Sequence, residues 1–290
     1  MPGAFDGKTV RGVSGCLWNF LISGGNFTDN PLPCDRGATC QARCIMYQPR
    51  IYRNIIQSDS RVCFKVLVKE TDLQVQAESH LEETAKKLVL KYRGHIEAYI
   101  RLHPGFATSL SPWVIQGPAP EIVRDMAEAG QNAGVGPMAS VAGVISQYVG
   151  TELLAYSREV VVENGGDVFM KTRLPAVTGI YAGRSSFNLR LGIRVRSDLG
   201  PVSVCTSSGT VGHSLSLGNA DAVCVVAGKC HFADAAATAI GNHVRSGQDI
   251  HHAIEFGKRL SHIQGIVIIK DDQIGMWGDI ELVPTSGKNG

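Results

Sequence analysis

Two alternating apolar stretches followed by a long amphipathic pattern constrain the fold more than any other feature of the chain. In RVCFKVLVKETDLQVQ, residues 61–76, apolar and polar side chains alternate, which predicts a half-buried strand and a turn at residues 70–72. The apolar side chains on one face of the predicted strand are Val62, Phe64, Val66 and Val68. Residues 78–102 then carry apolar side chains at helical spacing, and His103-Pro104-Gly105 predicts where this helix ends. The chain therefore combines strands with helices.

Composition narrows the kinds of partner. A chain of 290 residues with 44% hydrophobic content can bury a full core. Its net charge is +2, with no block of like charge and no basic stripe, so neither a nucleic-acid nor a membrane-surface partner is expected. The sequence contains no run of eighteen apolar residues, so no membrane span is predicted. The opening MPGAFDGKTVRG lacks the apolar region of a signal peptide, and a cytoplasmic location is expected.

The first 45 residues differ from the rest. They are rich in Gly, Asn, Pro and Cys, and are predicted to be a loosely ordered extension before one domain at 46–290. A zinc site is the alternative for the C-x5-C-x3-C spacing of Cys34, Cys40 and Cys44, although a fourth ligand is missing. Three later cysteines lie in apolar, strand-like runs and are expected to be small core residues: Cys63, Cys205 and Cys224.

Two helices are predicted in the middle of the chain. Residues 119–130 form one, with Pro120 in its first turn and Gly130 at its end. In AGVGPMASVAGVISQYVG, Pro137 suits the first position of the next helix. Its small side chains allow either a ligand or a neighbouring element to come close. The glycine-rich entry also leaves free N–H groups, a generic anion site.

The stretch SREVVVENGGDVFM predicts a strand, a turn at Gly165-Gly166 and a second strand. Glu163, Asn164 and Asp167 cluster around that turn. They are either part of a ligand site or solvated turn residues.

Two further stretches carry polar side chains next to apolar strands. FNLRLGIRVRS alternates, and its three arginines either clamp phosphate or carboxylate groups or lie on a solvated face: Arg190, Arg194 and Arg196. The connection between strands in VSVCTSSGTVGHSLSLGNADAVCVVAG holds hydroxyls and glycines that can donate short hydrogen bonds: Thr206, Ser207, Ser208, Gly209, Thr210 and Gly212. His213 in the same loop is either an acid or base near neutral pH or a surface residue.

The stretch ADAAATAIGN holds one carboxylate, Asp234, and one hydroxyl, Thr238, among alanines. Four residues apart on a helix, they share one face. We place Asp234 in the first turn, where the positive helix end favours its ionised form. A magnesium ion takes such oxygen ligands and keeps several waters. The alternative is that Asp234 is an N-cap of a tightly packed helix.

The order of these stretches, with a final GIVIIKDDQIGMWGDIEL hairpin, resembles the ApbE-like superfamily. That family includes magnesium-dependent transferases that take FAD and attach FMN to a threonine of a target protein. Residues 46–290 are most similar to an uncharacterised branch, through YRNII, KETDLQVQA, YIRLHPGFATSLSPW and GPMASVAGVISQYVG. The resemblance implies an α+β fold with mixed or antiparallel sheets backed by helices.

The resemblance also implies the residues of the site. Asp234 and Thr238 correspond to the metal ligands, and 163–167 to the glycine pair along the flavin site. Thr206, Ser207, Ser208 and Gly209 match the Thr-Ser-Gly run, and His213 is a remnant of the catalytic histidine. The transferases carry His-x-x-Asp-Pro-x-Thr-Gly after that run, and the chain lacks it. The expected function is therefore binding of a phosphorylated small molecule such as FAD or FMN with magnesium, with phosphoryl or FMN transfer. A non-catalytic ligand-binding or homo-oligomeric assembly protein is the alternative.

Overall fold

The computed structural model describes residues 61–196, 200–210 and 216–285. The predicted extension at residues 1–45, its three spaced cysteines and the candidate histidine His213 lie outside the described residues.

An eight-stranded sheet forms the centre of the described chain, and all of its pairings are antiparallel. Its strands lie in the order β1-β2-β3-β4-β7-β8-β9-β10. Their bounds are β1 Val62–Val68, β2 Thr71–Ala77, β3 Val160–Asn164, β4 Asp167–Lys171, β7 Val202–Ser207, β8 Ala222–Ala227, β9 Ile263–Lys270 and β10 Gln273–Gly278. Nearly every strand therefore joins the strand that precedes or follows it in the chain, with helical segments inserted between β2 and β3 and between β8 and β9.

The alternation at the start of the domain produces β1 and β2, joined by the two-residue turn at Lys69 and Glu70. Phe64, Val66 and Val68 are buried, as the pattern predicts, because one face of the hairpin packs on helices. Val62 departs from it and is 40% exposed, since it begins an edge strand. The expectation that Cys63 is a core residue is wrong: it has the opposite parity and is exposed.

In the described part of the chain, six α-helices cover one face of this sheet, and their bounds are α1 Glu82–Leu102, α2 Gly105–Thr108, α3 Glu121–Ala133, α4 Val141–Leu153, α5 Cys230–Gly241 and α6 Ile250–Gly257. Helix α1 ends at Leu102, as predicted. Gly130 was expected to end α3 but lies inside it; Gly134, in the left-handed conformation, follows the last residue. Pro137 begins a 3-10 turn that leads directly into α4. Among the described helices, none is long and apolar enough to cross a membrane.

A second, three-stranded antiparallel sheet covers the opposite face of the main sheet. Its strands are β5 Ala176–Gly179, β6 Leu191–Val195 and β11 Glu281–Pro284, in the order β11-β6-β5. Ile193 of β6 packs in the same apolar cluster as Val168 of β4 and Val204 of β7. Leu189 was expected to continue the β6 alternation, but it has a positive φ of 55° and precedes the strand. The architecture is α+β, with antiparallel sheets backed by helices.

Candidate functional site

The turn between β3 and β4 is a two-residue hairpin turn formed by Gly165 and Gly166. Their φ angles are +68° and +107°, which glycine adopts without a side-chain clash. One interpretation of the sequence was that the flanking polar residues are solvated, and the structure shows that they are not. Glu163, Asn164 and Asp167 are all buried, at 4%, 8% and 6% exposure. This tight turn therefore holds three polar side chains inside the protein.

Each of these polar side chains has a defined position. Glu163 Oε1 accepts a hydrogen bond of 2.9 Å from the amide of Gly166, and Asn164 Nδ2 donates to the carbonyl of Ala142 at 3.2 Å. The carbonyl of Asp167 accepts a hydrogen bond of 3.1 Å from Ser146 Oγ. The hairpin is thereby fixed against the first two turns of α4.

Asp234, on the alanine-rich helix α5, points toward the start of α4. Asp234 Oδ2 accepts a hydrogen bond of 2.8 Å from the amide of Gly143, and the carboxylate also bonds the amide of Ala142. A methyl group at Gly143 would lie 2.7 Å from the carbonyl oxygen of Cys230, so only glycine allows α4 and α5 to come this close. The small residues of GPMASVAG therefore serve tight packing between helices, and an internal carboxylate occupies the predicted anion site.

Two predictions about Asp234 are corrected. Helix α5 begins at Cys230 with Lys229 as its N-cap, so Asp234 is in the second turn, not the first, and is not the N-cap. Ten of the twelve residues of α5 are buried, and the two half-buried exceptions are Asp234 and Thr238. The one carboxylate and the one hydroxyl of this helix are thus partly exposed on an otherwise buried element.

The third segment is the end of β7 and the loop that follows it. Gly166 lies against Thr206, since a methyl group on it would be 3.6 Å from the Thr206 carbonyl. Gly241, at the end of α5, lies similarly close to Ser207, since a methyl group on it would be 3.8 Å from the Ser207 Oγ. Thr206 Oγ1 is 3.3 Å from Cys224 Sγ, and Ser207 Oγ is buried without a hydrogen-bond partner among the described residues.

The loop itself is held in place by glycine contacts. The amide of Gly209 donates to the carbonyl of Ala220 at 2.9 Å, and a side chain at Gly209 would collide with the backbone of Gly218. Ser208 Oγ lies 3.4 Å from Thr210 Oγ1, on the exposed side. The hairpin at 163–167, the described part of the loop after β7 and helix α5 therefore meet.

Two carboxyl groups near the meeting point influence each other. Burial raises the pKa of Asp234 to about 7, against the lowering effect of the amides of Gly143 and Ala142. Burial raises the pKa of Asp167 well above its usual range as well, and the charge of Asp234 adds to the effect. Two thiols lie below the pair: Cys205 Sγ is 3.4 Å from Cys230 Sγ, and burial raises the pKa of Cys205. The site therefore gathers acidic groups whose ionisation burial opposes.

Comparison with known proteins identifies the family. A family model described as "AbpE bacteria" matches residues 53–276. The chain belongs to this family. It is 39% identical over 231 residues to a UPF0280 protein of Methanococcus aeolicus, covering 77% of the chain and 93% of that relative. It is 41% identical over 229 residues to a UPF0280 protein of Methanocaldococcus jannaschii, covering 76% and 93%.

The fold of this AbpE family member is also that of a solved transferase. The flavinyl transferase ApbE of Pseudomonas stutzeri superposes with a TM-score of 0.52 at 12% identity, covering 75% of the chain and 94% of that structure. The match to the family model confirms the resemblance to the ApbE-like superfamily, and the superposition confirms the α+β fold.

The oxygen atoms of the candidate site show whether this family member could hold a magnesium ion. Asp234 and Thr238 are half-buried oxygen donors on one helix face, and Asp167 Oδ1 is a buried oxygen that has no hydrogen-bond partner among the residues that the structure describes. In the described part of the chain, no group of three or more His, Cys, Asp or Glu side chains is arranged to hold a metal. A dedicated multi-ligand cage is therefore absent there, but Mg²⁺ is commonly bound by one or two carboxylates together with substrate phosphates. The donors fit an ion of that kind.

The predicted arginine clamp is not part of this site. Arg194 lies on β6 of the three-stranded sheet, and its Nε is 3.0 Å from Glu281 Oε1. Arg196 pairs with Asp279 at 3.7 Å. Helix α5 lies on the other face of the main sheet. These guanidinium groups neutralise carboxylates of the protein's own chain.

Sequence reasoning missed Asp221, which anchors the loop from below. It is buried, accepts a hydrogen bond of 3.0 Å from Thr210 Oγ1 and one of 2.6 Å from the amide of Asp271, and lies 3.8 Å from Lys270 Nζ. It also missed Gln147, whose Oε1 accepts from the amide of Cys230 at 2.6 Å. A carboxylate directly before the apolar run AVCVVA was a signal for Asp221; nothing in the sequence marked Gln147.

Proposed function

We propose that this protein binds a flavin or a similar phosphorylated small molecule together with Mg²⁺ in the cytoplasm and transfers the FMN or phosphoryl group to a hydroxyl acceptor. The observation that carries the proposal is the position of Asp234 and Thr238. They are the two half-buried residues of an otherwise buried helix; Asp234 is hydrogen-bonded to the start of α4, and Gly241 at the end of the same helix approaches Ser207 at the end of β7. The name of the Pseudomonas stutzeri neighbour supports a flavin as the ligand.

Each segment has a proposed role. Asp234 and Thr238 hold the ion, which neutralises phosphate oxygens. The residues proposed to line the phosphorylated ligand are Glu163, Asn164, Gly165, Gly166, Asp167, Thr206, Ser207, Ser208 and Gly209. Ser207 supports this role because its buried hydroxyl has no partner among the described residues.

The proposed transfer balances without an oxidant or reductant. The hydroxyl oxygen of the acceptor forms a new bond to the phosphorus of the FMN half of FAD. The pyrophosphate P–O bond breaks, and AMP leaves with the electron pair of that bond. His213 is the proposed acceptor of the hydroxyl proton, because it lies in the connection between β7 and β8.

A non-catalytic binding protein is the second candidate. It is favoured by the sequence of that connection, TSSGTVGHSLSLGNAD, which lacks the Asp-Pro-x-Thr-Gly of the transferases. Both candidates bind the ligand, and only the first releases AMP from FAD. A homo-oligomer is part of the second proposal.

The test is a thermal unfolding series with the full chain, FAD and MgCl₂, added separately and together. We expect the two together to raise the melting temperature. A ligand at a hundredfold excess over its Kd stabilises the folded protein by about 2.7 kcal/mol. Asp234→Asn should remove the magnesium-dependent part of the shift, and Asp125→Asn, a carboxylate on α3, should retain it. Mass spectrometry of small molecules carried through purification identifies the natural ligand. No shift with any flavin nucleotide and no bound flavin would contradict the proposal.

A further inference from the structure

We propose that Asp167 is a second ligand of the magnesium ion, so that carboxylates from the β3–β4 hairpin and from α5 hold the ion jointly. The inference rests on the proposed function and adds a residue for which the sequence predicted only a role in ligand binding.

Asp167 carries an unsatisfied buried oxygen. Asp167 is 6% exposed, and its Oδ1 has no hydrogen-bond partner among the described residues. A buried carboxylate oxygen left without a partner costs free energy, and buried charges are normally paired or coordinate a metal. The nearby Cys205 thiol points to the Cys230 carbonyl at 3.4 Å, so it does not satisfy this oxygen.

Helix α4 positions both acidic residues. Asp234 Oδ2 is held by the amide of Gly143, and the carbonyl of Asp167 is held by Ser146 Oγ, one turn further along α4. Gly143 and Ser146 are three residues apart and therefore neighbours on one helix face. The same helix thus fixes both carboxylate-bearing residues from two different elements.

The two acids also interact through their charges. Asp167 feels the negative charge of Asp234 and, more weakly, that of Glu163. Neither Asp167 nor Asp234 forms an ion pair with a lysine, arginine or histidine in the ranges that the structure describes. A cation between the acids supplies the missing charge, and one or two carboxylates are the usual protein share of a Mg²⁺ site. The competing explanation is a proton shared between them, without a metal.

Binding of Mn²⁺ alone separates these explanations, because Mn²⁺ prefers the same oxygen ligands and is detected directly by electron paramagnetic resonance. In the full chain we expect Asp167→Asn to weaken Mn²⁺ binding by at least about tenfold. Asp125→Asn removes a half-buried carboxylate whose Oδ2 accepts from Tyr148 at 2.9 Å, and should leave the affinity unchanged. Unchanged affinity in Asp167→Asn overturns the inference and leaves the proposed function standing. No Mn²⁺ binding by the wild type overturns both the inference and the magnesium part of the proposed function.

Two measurements exclude a merely structural role. Without metal, Asp167→Asn should melt at the same temperature as the wild type or higher, because the substitution removes repulsion; a structural role predicts a lower temperature. If the variant does not fold, crystals of the wild type soaked in MnCl₂ decide the question. Anomalous density within ~2.3 Å of an Asp167 oxygen is expected, and an ion bound to Asp234 without Asp167 would overturn the inference.

Discussion

The carboxylate of Asp234 accepts a hydrogen bond from the backbone amide of Gly143 at 2.8 Å, so that an acid in the second turn of α5 satisfies the first turn of α4. The helix dipole of α4 favours the ionised carboxylate, whereas burial opposes it. This contact joins the two helices at the candidate site, and it requires glycine at position 143.

Gly143→Ala should therefore damage both the fold and the site. The added methyl group would lie 2.7 Å from the Cys230 carbonyl and 2.8 Å from Asp234 Cβ. We expect a loss of about 2 kcal/mol in the free energy of unfolding, measured in urea. Gly94→Ala is the control, because Gly94 is exposed on α1 with nothing within 4 Å of its new methyl group. That variant should be more stable by about 0.5–1 kcal/mol. Equal effects at both positions would contradict the packing argument.

The hydroxyl of Thr238 is the simplest test of the second oxygen donor on α5. Thr238→Val keeps the shape and removes the oxygen, so we expect the magnesium-dependent thermal shift to fall, with affinity lower by about tenfold. Thr238→Ser keeps the oxygen and should retain most of the shift. Titration calorimetry with MgCl₂ measures both variants. If valine and serine behave alike, the hydroxyl does not bind the ion.

Acid should destabilise the protein through His231. This imidazole is fully buried, and neither ring nitrogen has a hydrogen-bond partner within the described residues. Burial, with Lys229 and His262 nearby, lowers the pKa of His231 from 6.5 to about 4. In the unfolded chain the His231 imidazole binds a proton below pH 6.5, whereas in the folded protein it binds one only below about pH 4. Stability is therefore complete above pH 6.5 and is lost as the pH falls, by about 3 kcal/mol at pH 4.

The measurement is the free energy of unfolding at several pH values between 4.5 and 7, by urea denaturation. His231→Phe should flatten the slope, since phenylalanine has no proton to bind and the site already contains Phe232 with its ring centroid 4.5 Å from that of His231. His80→Phe is the matched control, because His80 is largely exposed. An identical slope in wild type and His231→Phe would refute the assignment.

The described cysteines should differ sharply in reactivity. Cys63 is exposed, whereas Cys205, Cys224 and Cys230 are buried. Burial raises the pKa of Cys224 to about 11, which leaves almost no thiolate at neutral pH. Native labelling with a maleimide, followed by peptide mass spectrometry, should modify Cys63 within minutes and the three buried thiols only after denaturant is added. Labelling of Cys205 at the rate of Cys63 would mean that the site opens.

Local pattern determined the elements themselves. The alternation at residues 61–76 predicted β1 and β2, although their turn lies at 69–70 and not at 70–72, and the apolar spacing of residues 78–102 predicted α1, because these periods follow directly from backbone geometry. The predictions of exposure and of a helix end failed where they depended on tertiary packing, about which a local sequence pattern carries no information. Cys63 and Val62 differ from prediction because an edge strand leaves side chains uncovered, and Gly130 did not end α3 because its position is set by packing against Val135 and the turn that follows.

The sequence by itself determined that a single acid and a single hydroxyl share one face of a small-residue helix, and that Gly165-Gly166 makes a turn. Only the tertiary structure decided that Asp234 satisfies a different helix, that the turn's polar side chains are buried, and that Asp167 lies near Asp234. The physical reason is that helix and turn formation depend on neighbours in the chain. A carboxylate's partners and its electrostatic environment depend instead on residues brought together from about 90 positions away, as Gly143 and Asp234 are.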